Sequence, residues 1–292
     1  PSNDHVTDRL THTLKVAMAA RRMARRLGLD EDIAEAMAVG HDLGHAPFGH
    51  LGESVLATLS PVGFTHSGQS VRVIQHLEND GRGLDVGQVV LDGIATHSKG
   101  AGDFMAEEGL EGISPEAQVL RLADALAYLS HDVPDAVRAG LLKQEDLPVE
   151  VAQALGHDAS SWLTVMVDDV IDATIAATGG GNRQALDRPL NVVMSAPMAV
   201  AVMALRDYLF STVYLPLNHT EPAYAARAVV ETLYVYYSTH PGDIPWSHPE
   251  ADPHRAALDY VAGMTDRFAL TTAERLAPGI GAAVRSNTPM VS

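Results

Sequence analysis

Apolar residues recur at helical spacing through most of this 292-residue chain, and no strand-like alternation persists for long. Clear helix ends accompany that spacing. Gly28 stops the first predicted helix, Asp30 can cap the second, and Ser114 followed by Pro115 marks a later start. Aromatic residues make up only 5% of the chain, which also favours close-packed helices over sheets. The sequence therefore predicts an all-α fold.

The helical pattern continues to the C-terminal part of the chain. Helices are predicted near residues 7–27, 52–59, 68–78, 86–96, 161–178, 196–213, 221–238 and 251–270. The glycine-rich stretch at residues 179–182 is the clearest loop. It separates a predicted helical core, residues 1–178, from a C-terminal helical region, residues 183–292. We expect that region to pack on the core as one continuous globular unit.

Composition limits the chemistry that the chain can perform. It contains no cysteine, so any metal must be held by His, Asp and Glu side chains. We find no signal peptide and no apolar run of about 18 residues, so the expectation is a cytoplasmic protein without a membrane partner. The net charge of −17 argues against nucleic acid as a substrate. A phosphate-ester substrate could bind only where a metal or local basic groups reverse the negative electrostatic field of the chain.

The strongest chemical signal is the adjacent pair His41-Asp42 at the end of a predicted helix. An isolated His-Asp pair is weak, since it occurs twice more in this chain. Its context is stronger, because His12 lies on the preceding helix and Asp124 on the helix that starts at Pro115. Two histidines and two aspartates from three helices would form a mixed nitrogen and oxygen site for a divalent metal, such as Mn, Fe, Ni, Zn or Mg.

Structural explanations for these residues remain open. His12 could be a buried histidine bonded to a backbone carbonyl, and Asp42 could cap the next turn. Asp124 lies on an otherwise apolar face, where an unpaired carboxylate is costly. It begins a stripe with Tyr128 and Asp132 at successive four-residue steps, although a tyrosine on such a face is often part of the core.

Several runs together resemble one known family. They are RLTHT at residues 9–13, HDLGHAPFGHLGE at 41–53, GFTHSGQS at 63–70, YLSHD at 128–132, YLF at 208–210 and HPGDIP at 240–245. These runs are similar to those of the deoxynucleoside triphosphate triphosphohydrolases of the HD superfamily. That group contains the bacterial dGTPase-like enzymes, which are related to the vertebrate SAM-and-HD-containing enzyme. The resemblance covers nearly the whole chain, and the run at 41–53 is its most specific part.

The resemblance implies roles for ten residues. The implied metal ligands are His12, His41, Asp42 and Asp124. The implied catalytic residues are His50, Glu53 and His66. Glu53 would orient and polarise His50, and His66 would lie near the α-phosphate. The implied substrate contacts are Arg9 with phosphate, and Tyr128 and Asp132 with the deoxyribose. His50 and Glu53 could instead be an exposed capping pair, and Asp132 could form ordinary salt bridges.

The implied activity is metal-dependent hydrolysis of a dNTP to a deoxynucleoside and inorganic triphosphate. The cofactor would be a divalent metal, with Mn, Mg, Ni, Co and Fe as candidates. The resemblance also implies a homo-oligomer, such as a hexamer, and activation by nucleotides. Two alternatives are another HD-type phosphohydrolase, acting on a nucleoside monophosphate or a cyclic or signalling nucleotide, and a nucleotide-sensing regulator.

Some positions depart from the family pattern, and the roles of two further histidines stay undecided. Relatives usually have a longer N-terminal region with an arginine-rich block, so the sequence is expected to be trimmed or divergent there. Ser67 and Gly68 replace an acidic or amide pair, which puts the contacts near His66 in doubt. His45 is a candidate for supporting the His41-Asp42 turn. His97 could point into the same cleft or be a satisfied core histidine.

Overall fold

The computed structural model describes residues 9–98, 112–179, 190–245 and 252–285, which contain helices and no strand. The all-α prediction is confirmed. The helices discussed below are α1 (Arg9–Leu27), α2 (Glu31–Gly40), α3 (His50–Leu59), α4 (His66–Arg72), α5 (Gln88–Thr96), α6 (Pro115–Arg138), α7 (Val149–Leu155), α8 (Trp162–Ala177), α9 (Ala196–Leu209), α10 (Glu221–Thr239), α11 (Pro253–Ala262) and α12 (Asp266–Leu276).

The helix ends that carry the site follow the predicted signals. Gly28, at φ 66°, adopts the left-handed conformation that lets the chain turn after α1. The Asp30 carboxylate accepts hydrogen bonds from the backbone N–H groups of Asp32 and Ile33 and caps α2. Ser114 caps α6 in the same way. These caps fix where the site-bearing helices start.

The apolar positions whose helical spacing predicts α1 are Leu10, Leu14, Ala17 and Met18. Of these, only Ala17 is buried, while Leu10, Leu14 and Met18 are exposed. The buried face consists mainly of alanines and includes Val16 and Met23. Small side chains on this face allow α1 to pack closely against α2, α6 and α8. The periodicity predicted the helix correctly but did not identify the face that it buries.

One predicted helix is divided in the structure, and one predicted loop lies largely outside the described residues. The helix expected over residues 251–270 is broken in two, because α11 ends at Ala262 and Thr265 caps α12 by accepting from the Phe268 N–H. Most of the glycine-rich loop predicted at 179–182 lies outside the described residues.

Two apolar clusters form the interior of the described chain. The first joins α1, α2 and α5–α9. The second joins α3 with α10, α11 and α12. Helix α9 therefore packs with the first cluster, although it belongs to the region predicted as C-terminal. The division at residues 178 and 183 stays a prediction.

Polar contacts join the C-terminal helices to the segments that carry the site. The buried carboxylate of Asp259 on α11 accepts hydrogen bonds from Gln69 and Arg72 of α4, each at 2.8 Å. Asp266, the first residue of α12, accepts from the backbone N–H of Phe48 at 2.9 Å. The C-terminal helices thus contact both α4 and the loop before α3.

One helical segment, Ala196–Leu217, is long and apolar enough by length and composition to cross a membrane. This differs from the expectation that the chain contains no apolar run of about 18 residues. Val202, Leu205 and Leu209 of this segment are fully buried in the first cluster. A core helix meets the same criteria, so the segment is weak support for a membrane span.

Candidate metal centre and active site

A tight turn after α2 presents His41 and Asp42 to the interior. Gly44 follows them and packs against α4, where an added Cβ would lie 2.2 Å from the backbone nitrogen of Ser70. The Ser70 hydroxyl accepts from the Gly44 N–H at 2.9 Å and lies 2.7 Å from the His41 carbonyl oxygen. Glycine is therefore required here by close backbone approach.

The four residues predicted as metal ligands converge at this turn. His12 Nε2 lies 3.1 Å from Asp124 Oδ1 and 3.9 Å from Asp42 Oδ2. His41 Nε2 lies 3.3 Å from Asp42 Oδ2 and 3.5 Å from Asp124 Oδ1. Three helices, α1, α2 and α6, therefore bring two imidazoles and two carboxylates to one point.

The atoms at this point fit a divalent cation. His41 Nδ1 donates to the Ala38 carbonyl oxygen at 2.7 Å, which directs Nε2 toward the carboxylates. That Nε2 is buried and has no hydrogen-bond partner among the described residues. Anchoring one ring nitrogen on a carbonyl is the usual arrangement of a metal-binding histidine. Imidazole and carboxylate donors without thiolate suit Mn, Fe, Co, Ni, Zn or Mg.

The electrostatics of the site favour positive charge. Burial lowers the pKa of His41, but the carboxylates of Asp42 and Asp124 outweigh it and raise that pKa well above its ordinary value. Burial likewise opposes ionisation of Asp124, yet the hydrogen bond from His12 and the nearby imidazole of His41 hold its pKa well below the usual range. Two ionised carboxylates at such a site attract either protons or a metal ion.

A second group of predicted residues lies beside the first. His50 Nδ1 and Glu53 Oε2 are 3.1 Å apart, one turn along α3. His66, at the start of α4, approaches the same carboxylate with its backbone N–H at 2.8 Å and its Nδ1 at 2.9 Å. Glu53 therefore joins α3 and α4 and orients two imidazoles.

This arrangement shifts the pKa values of its members. The hydrogen bond to Glu53 raises the pKa of His50 despite opposing desolvation. Burial would raise the pKa of Glu53, but hydrogen bonds from His50 and His66 lower it far below its ordinary value. Glu53 is thus ionised and holds His50, whose side chain is 69% exposed, in an orientation open to solvent.

Two further histidines complete the cluster. His45 Nε2 lies 3.3 Å from Asp42 Oδ1, and its ring stacks on His66 with centroids 4.1 Å apart. His45 is thus positioned to support Asp42, and its supporting role stays a prediction. His97 directly follows α5 and is buried. Its Nε2 atom lies 3.2 Å from the Nε2 atom of His66. His97 faces the histidine cluster and is also buried, with its Nδ1 on the Ile94 carbonyl oxygen, so it shows features of both options left open for it.

Arg9 lies at the N-terminal end of α1 and reaches the loop between the two groups. Its Nη2 donates to the Ala46 carbonyl oxygen at 3.0 Å. An exposed guanidinium beside the loop is available to an anion approaching His50. Farther along α1, Arg21, Arg22 and Arg25 pair with surface carboxylates, which agrees with a solvated helix end.

Tyr128 and Asp132 continue the α6 stripe away from Asp124. Tyr128 packs edge-on against His12, with ring centroids 6.5 Å apart. Asp132 accepts a hydrogen bond from the Tyr214 hydroxyl and lies 3.4 Å from His131 Nε2. Burial raises the pKa of Asp132 to about 7, although the hydrogen bonds from both tyrosines oppose that change. Its carboxyl group therefore changes charge near neutral pH.

No pattern in the sequence indicated Tyr214. It follows α9 within the irregular helical turn Phe210–Tyr214 and approaches Asp132 only because α9 packs near α6. Its ring lies 5.8 Å from that of Tyr128. The nearby YLF run at residues 208–210 resembles the family, but its spacing does not predict a contact with α6.

A helical fold that gathers a His-Asp turn, a histidine from the preceding helix and an aspartate from a later one defines the HD-domain class. A match to the HD domain covers residues 9–129, and one to a phosphohydrolase-associated domain covers residues 192–275. These two matches include both described groups of site residues.

Similar chains carry one shared description, "deoxyguanosinetriphosphate triphosphohydrolase-like protein". One from Caldanaerobacter subterraneus subsp. tengcongensis is 42% identical over 92% of this chain and 75% of its own length. One from Desulfatibacillum aliphaticivorans is 40% identical over 94% of this chain and 79% of its own length. One from Azorhizobium caulinodans is 37% identical, with coverages of 91% and 81%. The chain belongs to the deoxyguanosinetriphosphate triphosphohydrolase-like family of HD-domain proteins.

Proposed function

We propose that this protein hydrolyses deoxynucleoside triphosphates to a deoxynucleoside and inorganic triphosphate in a metal-dependent reaction. The observation that carries the proposal is the adjacency of two groups. The cluster of His12, His41, Asp42 and Asp124 lies next to the pair His50–Glu53, since His45 contacts Asp42 and its ring centroid is 5.3 Å from that of His50. The names of the relatives support the substrate class.

The first group would hold the cofactor, with Mn, Mg, Ni, Co and Fe as candidates. A bound divalent cation supplies positive charge to a phosphate oxygen and lowers the pKa of a bound water. The residues fit that role because His41 Nε2 is buried without a protein partner among the described residues. Asp42 and Asp124 add the negative charge that such an ion requires.

His50 would move the proton. Its Nδ1 is held by Glu53 at 3.1 Å, which leaves Nε2 to give a proton to the departing 5′-oxygen or to take one from water. Glu53 positions the ring and stabilises its protonated form. His66, held by the same carboxylate, would contact the α-phosphate region.

The substrate would lie between Arg9 and the α6 stripe. Arg9 supplies a fixed positive charge near the loop, which matters in a chain of net charge −17. Tyr128 and Asp132 would contact the deoxyribose, with the Asp132 carboxyl bonding the 3′-hydroxyl. We propose that further basic groups come from a neighbouring subunit of a homo-oligomer, and that nucleotides activate the enzyme, as the family resemblance implies.

Product analysis tests the proposal directly. Purified protein is incubated with each of the four dNTPs and with Mn, Mg, Ni or Co, and the phosphate products are separated by ion chromatography. Intact triphosphate and deoxynucleoside are the expected products. Release of pyrophosphate or orthophosphate instead would support a different HD phosphohydrolase and overturn this assignment.

A variant of the acid–base pair completes the test. His50→Gln should lower turnover by about 10²-fold or more, because a positioned acid or base contributes about 10²–10⁴ to rate. Its metal content should be unchanged. The exposed His157, on a loop between α7 and α8, provides the control His157→Gln. Binding of dNTPs without turnover by the wild-type protein would favour a nucleotide-sensing regulator.

A further inference from the structure

The Glu53 carboxylate holds two imidazoles that come from different helices. His50 lies on α3 with Glu53, and its Nδ1 is 3.1 Å from Oε2. His66 begins α4 and places its Nδ1 2.9 Å from Oε1 of the same carboxylate. The two rings have centroids 5.8 Å apart, so a small movement of either helix start would change how Glu53 holds them. Whatever fixes these two helix starts therefore fixes the proposed proton-transfer group.

The start of α3 follows a strained turn. Phe48 and Gly49 both have positive φ, 63° and 59°, and a residue with a side chain adopts that left-handed conformation only at an energetic cost. Such a conformation persists where surrounding groups hold it. Asp266, the first residue of α12, does so by accepting from the Phe48 N–H at 2.9 Å. Its carboxylate therefore restrains the backbone two residues before His50.

The start of α4 is restrained by a buried ion pair. Asp259 of α11 is 2% exposed and accepts from Gln69 Nε2 at 2.8 Å. Each of its two oxygens also lies 2.8 Å from Arg72 Nε. Gln69 and Arg72 follow His66 on the same short helix. Because a buried carboxylate requires such partners, Asp259 holds α4, and with it His66, against α11.

Asp259 and Asp266 belong to one well-packed segment of the chain. Only residues 263–265 separate α11 from α12. Met264 in that turn is buried in the second apolar cluster, and so are Ala262 and Ala269 on either side of it. The two carboxylates therefore keep a fixed separation, and the starts of α3 and α4 keep theirs through them.

We propose that Asp259 and Asp266 are positioning residues of the reaction. Together they fix the spacing of His50 and His66, so that Glu53 can hold both imidazoles. Each carboxylate acts through the backbone or the helix that it restrains. The inference rests on the proposed function for the role of His50 in proton transfer. It also gives the region matched by the phosphohydrolase-associated domain a part in the reaction, since both carboxylates lie within residues 192–275.

Steady-state kinetics of Asp266→Ala tests the contact with α3. Loss of this charge-assisted hydrogen bond should lower kcat about tenfold or more. KM should change little, because His50 acts in the transition state. Asp266→Asn keeps an oxygen that can accept from the Phe48 N–H, so it should recover most of the activity. Metal content should equal that of wild type, since the four proposed ligands come from α1, α2 with the turn after it, and α6.

A matched control separates positioning from the stability of α12. Asp266 lies in the first turn of that helix, where a carboxylate also interacts favourably with the helix dipole. Thr265→Ala removes the cap of the same helix, the hydrogen bond from the Phe268 N–H, and leaves the Asp266 carboxylate in place. It should lower the free energy of unfolding and leave kcat unchanged. Equal losses of kcat in folded Thr265→Ala and Asp266→Ala would overturn the proposal, as would wild-type kcat in Asp266→Ala.

Asp259→Asn tests the contact with α4. Its kcat should also fall about tenfold or more, because the charge that holds Arg72 is lost. Val261→Ala removes a buried side chain of the same helix and should be destabilised with kcat unchanged. If Asp259→Asn fails to fold, judged by circular dichroism, Gln69→Leu removes one hydrogen bond to the Asp259 carboxylate and keeps the pair with Arg72. Wild-type kcat in the folded variant would overturn the role of Asp259.

Nuclear magnetic resonance of the imidazoles gives a readout without turnover. In Mg²⁺-loaded protein, the His50 signal is assigned by its loss in His50→Gln, and its titration midpoint is followed. The hydrogen bond to Glu53 raises the pKa of His50, so loosening it in Asp266→Ala should lower the midpoint. Thr265→Ala should keep the wild-type midpoint, and an unchanged midpoint in Asp266→Ala would contradict positioning. Neither substitution alters the other charged or titratable groups around the His50 ring, which include Arg9, His45, His66, Asp42 and Asp124.

The outcomes separate this inference from the proposed function. If the phosphate product is not triphosphate, the proposed reaction fails, while a lower His50 midpoint in Asp266→Ala still supports positioning. If triphosphate is released but Asp266→Ala and Thr265→Ala behave alike, the positioning role fails alone.

Discussion

The hydroxyl of Tyr214 donates a hydrogen bond to the carboxylate of Asp132, although 82 positions separate the two residues. The contact joins the turn after α9 to the far end of the α6 stripe. It therefore connects the region matched by the phosphohydrolase-associated domain to a residue that we propose contacts the sugar.

Tyr214→Phe should lower the catalytic efficiency, kcat/KM, of the enzyme. Loss of a hydrogen bond that positions Asp132 costs about 1.4 kcal/mol, so kcat/KM for a dNTP should fall about tenfold. Steady-state kinetics with the preferred dNTP measures it. Tyr236→Phe is the matched control, because it removes a hydrogen bond of the same kind to the exposed Asp243. Equal losses in both variants would contradict a role for Asp132 in the site.

Asp132→Asn should change how stability depends on pH. The pKa of Asp132 in the folded protein is about 7, against an ordinary value of 3.8. The folded state therefore holds this proton more tightly between those values, and the stabilisation is lost as pH rises toward 7. Relative to wild type, the free energy of unfolding of the variant should increase by about 2 kcal/mol between pH 5 and pH 7.

Urea unfolding of both proteins at pH 5, 6 and 7 checks that slope. Asp243→Asn, at an exposed carboxylate, serves as the control and should follow wild type. A constant difference between Asp132→Asn and wild type across this range would show that Asp132 does not titrate there.

Glu53→Gln should move the pH–rate profile toward lower pH. The hydrogen bond to Glu53 raises the pKa of His50, so removal of the negative charge lowers it. The direction is the same whether His50 acts as acid or as base, because either limb of the profile follows the pKa of this one group. kcat at the wild-type optimum should fall at least about tenfold, since a charge-assisted hydrogen bond contributes about 1.5–3 kcal/mol.

The measurement is kcat for one dNTP across the pH range at saturating metal. Glu35→Gln is a suitable control, as it removes a surface ion pair with Arg21. An unchanged profile with a lower kcat would mean that another group limits the rate.

Gly44→Ala should destabilise the fold and weaken metal binding by the cluster that contains His41 and Asp42. Its added Cβ would lie 2.2 Å from the Ser70 nitrogen and 2.5 Å from the His66 carbonyl oxygen, both backbone atoms. We expect a loss of about 3 kcal/mol in the free energy of unfolding, at the upper end of overpacking costs. Gly87→Ala should change stability little, because among the described residues, its chain neighbours aside, no heavy atom lies within 4 Å of the added Cβ.

Urea unfolding followed by metal analysis tests this pair of variants. If Gly44→Ala is as stable as Gly87→Ala, the turn can move away from α4, and its close approach is not required for folding.

The sequence by itself determined most of the helices and selected four residues that the structure brings together. Caps such as Asp30 and Ser114 act within a few residues of themselves, so local pattern is enough to predict them. His12, His41, Asp42 and Asp124 could be selected because their motifs are specific and their helices are well marked. The i+3 spacing of His50 and Glu53 likewise places them together on α3 without information about the rest of the chain.

Only the tertiary structure decided which side of α1 is buried, and what His97 and Tyr214 contact. The face of a helix that packs depends on its neighbours, so the apolar stripe through Leu10 and Met18 proved to be exposed. His97 meets His66 because α4 packs on α5, and Tyr214 meets Asp132 because α9 packs near α6. Such contacts join residues far apart in the chain, where no local spacing records them.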